Sequence, residues 1–315
     1  MKGLTDVRGI LVGHASDFGA ITGCTAILCP EGAAAGVDIR GSATGTQEMD
    51  VLNPLHAASH IHGICFSGGS AFGLEAASGV RRHLERQGVG YQMRSAKVPI
   101  VPAAILYDLG IGKADVRPGR EMGEIAAKAA SAGPVKEGCV GAGTGGTIGK
   151  IAGMEQAMKA GLGSYTVELP GGIIVSALAA VNAFGDVLDP HTGKILAGAR
   201  HSPATSDFLN TLKAIKNRAP VEQTGNTTLV AVATNAKLSK VSCTKLAQLS
   251  HHGMVRTIAP VHTVYDGDIV IAMSAGNETA DLTALGVAAA EAVAEAIVRA
   301  VRLATTMGGV PALNS

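Results

Sequence analysis

The C-terminal third of the chain alternates in a way that leaves few folds open. Residues 227–234, Thr-Thr-Leu-Val-Ala-Val-Ala-Thr, are a run of β-branched and small apolar side chains that reads as a buried strand. Residues 240–252 follow with helical periodicity, with Ser239 placed to cap the first turn and Gly253 to end the last. Residues 268–273 return as a strand, and residues 282–305 form a long helix. Within that helix Glu291, Glu295 and Arg299 recur at four-residue spacing and share one face. The most apolar late stretch is therefore an amphipathic surface helix and not a membrane span. A chain that ends this way lays helices over a sheet.

Upstream, residues 10–12, 21–29 and 34–38 read as short strands joined by glycine turns, and residues 40–50 as a polar loop. Residues 61–66 form a buried strand. Ser67-Gly68-Gly69-Ser70 then turns tightly into a helix over residues 71–86 that stops at Gly88. Residues 98–106 carry two prolines, which assigns them to an edge or irregular strand. Residues 121–132 and 206–216 read as helices, and residues 164–168 and 172–183 as strands. No linker and no fixed-period repeat divides the chain. The expected class is α/β (α+β), with layered sheets covered by helices.

The side chains available to pack such layers are small. Among 315 residues there are 42 glycines and no tryptophan, and 16% are charged, against a usual ~25%. An exposed surface so poor in charge would aggregate, so buried subunit interfaces and a homo-oligomer are expected. A net charge of +1 offers nothing to nucleic acid or to an anionic membrane. Cys24, Cys29, Cys65, Cys139 and Cys243 are odd in number, form no CxxC pair and sit mostly in apolar or glycine-rich runs. They read as free buried thiols in a reducing cytoplasm, not as a zinc site or a disulfide framework. The N-terminus lacks the continuous apolar run of a signal peptide.

Four segments carry candidate chemistry. In Gly225-Asn226-Thr227-Thr228 a hydroxyl residue begins an apolar strand directly after a flexible pair. Taken alone, this reads as a loop-to-strand junction with Thr chosen for its β preference. The chemical reading needs an activated threonine hydroxyl. A freed α-amine on the same residue supplies a base with a pKa of about 7.7–8.0. That amine exists only after the chain is cut between Asn226 and Thr227. In Tyr265-Asp266-Gly267-Asp268 two carboxylates stand at i and i+2, and a cation between them would relieve their repulsion; an ordinary Asp-Gly turn is the alternative. The run from Gly141 to Lys150 contains a formal G-x-G-x-x-G. It lacks the preceding buried strand of a dinucleotide site, so a glycine-rich loop that brings Lys150 to a reacting centre competes with that reading. Asn182 ends an apolar strand, where its amide can donate to an oxyanion or simply close a turn. His56, His60 and His62 cluster without metal-ligand spacing, and there is no Gly-x-Ser-x-Gly elbow.

Together these segments give the chain a family likeness. It resembles the DmpA-type self-cleaving aminopeptidases, and within them the 6-aminohexanoate-oligomer (nylon-oligomer) hydrolases. The likeness covers nearly the whole chain. Its markers in order are residues 37–41, 67–75, 98–103, Tyr107-Asp108, Gly149-Lys150, Val181-Asn182, residues 225–228 and residues 262–268. The resemblance implies an αββα sandwich with an N-terminal nucleophile: one domain cut into an α chain of residues 1–226 and a β chain of residues 227–315. It implies Thr227 as nucleophile, Asn182 as oxyanion and orienting group, and Lys150 as an aid to activation. Asp266 and Asp268 would hold the Thr227 amine and support self-cleavage, and Tyr107 would line the substrate pocket. It implies no cofactor or metal, a short-peptide or small-amide substrate, and a homotetramer of α/β pairs. Aminopeptidases of the family often carry Ser as nucleophile with a Ser/Glu pair, so Thr with Asp-Gly-Asp favours the oligoamide hydrolases. The self-cleaving acyltransferases of the ornithine acetyltransferase type are the second expectation.

Overall fold

The structure is a computed structural model, and it describes residues 2–203, 205, 207–217 and 225–314. Its main elements in chain order are β1 (Leu11–Asp17), β2 (Thr22–Ile39), β3 (Gly45–Gln47), β4 (Ile61–Ser67), α1 (Ala76–Arg86), β5 (Ala103–Ile105), α2 (Arg120–Lys128), β6 (Leu162–Leu169), β7 (Ile173–Asn182), α3 (Thr211–Lys216), β8 (Thr227–Ala236), α4 (Lys240–Thr257), β9 (Ile269–Glu278) and α5 (Leu282–Arg302). The strands join in the order β6-β7-β8-β9-β2-β4-β5-β3, with β1 paired to β2. The β8/β9 and β4/β5 pairs are parallel and the other pairs antiparallel.

This path folds into two packed sheets because β2 belongs to both. Its leading half pairs with β1 and β4, and its trailing half with β9. The sequence reads as two strands here, because Pro30 and Gly32 look like a turn. In the structure the strand continues through them with a register shift between Leu28 and Ala33, and Gly32 takes φ 87°. Such an irregularity bends the strand from one sheet into the next.

Alternation along the strands fills three apolar layers. Leu229, Ala231 and Ala233 of β8 join Ile269, Ile271 and Met273 of β9 against Ile27, Ile64 and Phe66 of the other sheet. Val230, Val232, Val270 and Ala272 face the opposite way, under α4 and α5. On the far side Cys24, Ala26 and Cys65 pack beneath Ala76 and Val80 of α1 and Ala126 of α2. The result is the expected four layers, helix–sheet–sheet–helix.

The glycines explain how tightly these layers close. A Cβ on Gly163 of β6 would stand 2.1 Å from the Ala296 carbonyl of α5, and one on Gly36 of β2 would stand 2.2 Å from the Thr244 nitrogen of α4. Helix backbone therefore rests directly on sheet backbone. Gly253 corrects the expectation that it ends its helix. It lies inside α4, where a Cβ would meet the Ala290 carbonyl of α5 at 2.3 Å, so its bare Cα lets the two helices touch.

Other boundaries also differ. The helix expected over residues 71–86 begins as a 3-10 helix (Ser70–Glu75), with its cap Gly69 and its first residue Ser70 both at positive φ. Residues 40–50 are not wholly loop, since β3 and the 3-10 helix Met49–Leu52 lie there. Of the helix expected over residues 206–216 only α3 is helical, and Ser206 lies outside the described residues. The five cysteines are free and buried. Among the described residues no helix is long and apolar enough to cross a membrane.

Candidate active site

The site forms where β7 ends and β8 begins. Antiparallel register places Asn182 opposite Thr227, so their side chains share one face of the sheet. The loop ahead of β9 runs alongside, bridging Asn226 to Asp266. A third segment arrives from the glycine-rich run, where Gly149 and Lys150 donate their N–H groups to the carbonyls of Gly185 and Phe184 just past β7. Five of the residues singled out from sequence, Lys150, Asn182, Thr227, Asp266 and Asp268, thus converge with Asn226 in one buried cluster. Tyr107 borders it and is 41% exposed.

Thr227 is 2% exposed, and its hydroxyl donates to the carbonyl oxygen of Asn226 at 2.5 Å. The same oxygen accepts the Gly267 N–H at 2.8 Å. The carbonyl of the Asn226–Thr227 bond is therefore polarised by a backbone donor while the neighbouring hydroxyl stands against it. Gly267 has a steric role as well. A Cβ there would lie 2.7 Å from both Thr227 Oγ1 and the Ala43 carbonyl oxygen.

The Asn182 amide is oriented by its partners. Its Oδ1 accepts from the Thr147 N–H at 3.1 Å and from Lys150 Nζ at 2.8 Å, while Nδ2 donates to the Tyr107 carbonyl at 2.9 Å. Nδ2 also lies 3.4 Å from the Gly225 carbonyl oxygen, so the donor end faces the chain just ahead of Thr227. Lys150 Nζ reaches the Asn182 carbonyl as well, at 3.1 Å. Burial pushes the Lys150 ammonium down to a pKa of about 7; the nearby Asp266 charge opposes this and Lys159 adds to it.

The two carboxylates do different work. Asp266 accepts from the Phe184 N–H at 3.1 Å and from the Thr263 hydroxyl at 2.5 Å. Burial first, and then the charge of Asp268, raise its pKa to about 6, against the pull of those donors and Lys150. Asp268 bonds the residue after Thr227 and a loop histidine. Its Oδ1 accepts the N–H of the next residue, Thr228, at 2.7 Å, and its Oδ2 accepts two bonds from His262.

A cavity of about 210 Å³ opens beside the cluster, lined by Tyr107, Ile111, Thr147, Lys150, Met154 and Gly225 among others. Asp108 lies in its wall with both oxygens engaged, by the Gly69 N–H at 2.6 Å and the Thr22 hydroxyl at 2.7 Å. A Cβ on Gly225 would meet Tyr107 Cγ at 2.5 Å and Cβ at 2.6 Å, so the base of that side chain packs directly against the chain ahead of Asn226.

The dinucleotide alternative does not survive this geometry. The G-x-G-x-x-G run leads from a 3-10 turn (Gly141–Gly143) into a two-residue strand (Thr147–Ile148), not from a strand into a helix. Its glycines serve close packing, since a Cβ on Gly146 would meet the Val181 carbonyl at 2.4 Å. His56, His60 and His62 serve separate local contacts through Nδ1, with Ala58 N, Ser59 Oγ and Ile100 N respectively. Sequence reasoning missed Thr147, Gly267 and His262 as parts of the cluster. Each lay inside a segment already singled out, Thr147 in the glycine-rich run and His262 and Gly267 in the last family marker, but none was given a role.

Comparison with known proteins agrees with this architecture. Over 340 residues the chain is 36% identical to an "Uncharacterized aminopeptidase" of Mycobacterium tuberculosis (strain ATCC 25618 / H37Rv), covering 99% of this chain and 96% of that one. It is 30% identical to a 6-aminohexanoate-oligomer endohydrolase of Kocuria sp. (strain KY2), covering 94% and 85%. Among solved structures, the L-aminopeptidase D-Ala-esterase/amidase of Ochrobactrum anthropi, described as a variant of the Ntn hydrolase fold, superposes with a TM-score of 0.71 at 21% identity, covering 98% of this chain and 88% of that one. These relatives favour amide hydrolysis over acyl transfer. The pattern of Peptidase family S58 matches residues 2–313, and the chain belongs to that family of amide-bond hydrolases.

Proposed function

We propose that the chain cuts itself between Asn226 and Thr227, and that the freed threonine then hydrolyses small amides through an acyl-enzyme. The observation that carries this reading is the doubly contacted Asn226 carbonyl, with the Thr227 hydroxyl at 2.5 Å and the Gly267 N–H at 2.8 Å. In self-cleavage Thr227 Oγ1 attacks the Asn226 carbonyl carbon, and the Gly267 N–H holds the oxyanion. The C–N bond then breaks, the Thr227 nitrogen takes a proton, and water opens the resulting ester. Lys150, whose neutral form is populated as pH rises through about 7, accepts the hydroxyl proton, and Asp266 and Asp268 hold the new amine. In hydrolysis that amine is the general base, Thr227 Oγ1 forms the acyl-enzyme, and Asn182 Nδ2 donates to the substrate oxyanion.

The cavity supports a small acyl group, and Tyr107, Ile111 and Met154 give it an apolar wall suited to methylene chains. The substrates proposed are short peptides or amides with a free N-terminal amine, or linear ω-amino-acid oligoamides such as the 6-aminohexanoate oligomers named for the Kocuria relative. The free buried thiols support a cytoplasmic location. Scarce charge and exposed apolar side chains such as Leu55, Met93 and Val98 support a homotetramer of α/β pairs.

Intact-mass spectrometry of the active protein tests the reading. Two species ending and beginning at residues 226 and 227 are expected. Full activity in an uncut chain would sink it. Gly267→Ala tests the role of the backbone donor. The added methyl crowds Thr227 Oγ1 and displaces the N–H, so self-cleavage should slow by ~10²-fold or more in a mass time course. An unchanged rate would remove Gly267 from the mechanism.

A further inference from the structure

We infer that His262 is a positioning residue for Asp268, fixing that carboxylate against the backbone of the nucleophile. The inference rests on the proposed role of Thr227. Asp268 Oδ1 accepts the Thr228 N–H at 2.7 Å, while Oδ2 accepts both the His262 backbone N–H and its ring Nδ1, each at 3.0 Å. The backbone of Asp268 is held separately, with its carbonyl accepting from the N–H groups of Arg40 and Gly41 at 3.0 and 3.1 Å. Main chain and side chain are thus pinned from opposite directions.

Three features of His262 accord with this contact. First, its backbone takes φ 56°, a region that a histidine rarely occupies. That turn lets one residue aim two donors at one oxygen. Second, with Nδ1 engaged by Asp268, Nε2 is left as a buried ring nitrogen with no partner among the described residues. Third, the ring stands edge-on to His251 with centroids 4.7 Å apart, and His251 also has a buried unpartnered nitrogen, Nδ1. His251 Nε2 reaches the Asp38 carbonyl at 3.1 Å and the Asp38 carboxylate at 3.4 Å, with Arg40 paired to Asp38 beyond it. A wall serving packing alone would carry an apolar ring and leave no orphaned nitrogens. His251 braces His262, His262 braces Asp268, and Asp268 braces the peptide that follows Thr227.

Two variants separate positioning from bulk. Both Gly and Asn tolerate the positive φ. His262→Asn keeps a side-chain amide donor near the place of Nδ1, and His262→Gly has no side-chain donor, keeping only the backbone N–H to Oδ2. Self-cleavage is followed by intact mass, and kcat and KM of the mature enzyme are measured on alanine 4-nitroanilide. His262→Gly should slow self-cleavage and kcat by ~10²-fold with KM little changed, the loss expected when a reacting group is misplaced by about 1 Å. His262→Asn should recover most of that loss. If His262→Gly does not fold, His262→Phe replaces it in the comparison, filling the ring's volume without the donor. Wild-type rates in the donor-less variant overturn the inference, and so does an Asn variant no better than it. Thr227→Ala is run alongside. If that chain is still cut, the reading of Thr227 fails whatever His262 does. If Thr227→Ala is inert and the donor-less variant is normal, only the role of His262 falls.

Discussion

Thr227→Ala should leave the protein as one uncut chain and lower amide hydrolysis by at least ~10³-fold, the scale on which removing a nucleophile acts. The effect is large because one hydroxyl serves two reactions: without it the chain is not cut, and without the cut there is no α-amine. The adjacent threonine is not placed to substitute. Thr228 is next on β8 and opposes Val181, so its side chain points to the other face of the sheet from Asn182. The fold should tolerate the change, since Thr227 begins its strand and, among the described residues, its hydroxyl bonds only the adjacent Asn226 carbonyl. A melting temperature close to wild type would show that activity is lost without unfolding. Thr227→Ser keeps the hydroxyl and should still cut, more slowly or incompletely. A Thr227→Ala chain found cut at the same bond, or hydrolysing amides at the wild-type rate, would move the nucleophile elsewhere.

The elements from Thr227 onward were legible because strand and helix periods are long and clean there. The two-sheet architecture was less so. It depends on β2 running through Pro30 and Gly32, and those residue types signal a turn whether the chain reverses or merely bends. Gly253 misled for a related reason. A glycine permits both a helix end and a close approach, and only the position of Ala290 on α5 decides between them. Within the site, Lys150, Asn182, Thr227 and the Asp266/Asp268 pair were each ambiguous alone and informative in order. Gly267 was invisible because its contribution is a backbone N–H, whose aim depends on a loop clamped between residues 40–43 and Asn226. Thr147 and His262 act on other side chains of the cluster, across gaps of 35 and 6 residues, and no local pattern announces such contacts.

Lys150→Met should separate function from stability more sharply than any other change in the cluster. The ammonium is 3% exposed, and burial lowers its pKa from 10.5 to about 7. Between those two values the unfolded chain binds a proton that the folded chain does not, so the lysine's contribution to stability is least favourable at the lower end and improves as pH rises. Met fills similar volume without that penalty. Asn182 Oδ1 keeps the Thr147 N–H as a donor. The variant should therefore melt at or above the wild-type temperature at pH 7. Self-cleavage should nonetheless slow by ~10²–10⁴-fold, the usual worth of a positioned base. The pH profile gives the mechanism. In the wild type the cutting rate should fall as pH drops through about 7, where Lys150 takes up its proton, and further through about 6, where Asp266 does. In Lys150→Met the upper of these steps should disappear and the slow residual rate should follow Asp266 alone. A variant that cuts at the wild-type rate with the wild-type profile would mean that Lys150 only orients Asn182 and takes no proton. A variant that loses both rate and stability would mean that its bonds to Asn182 outweigh the cost of its burial.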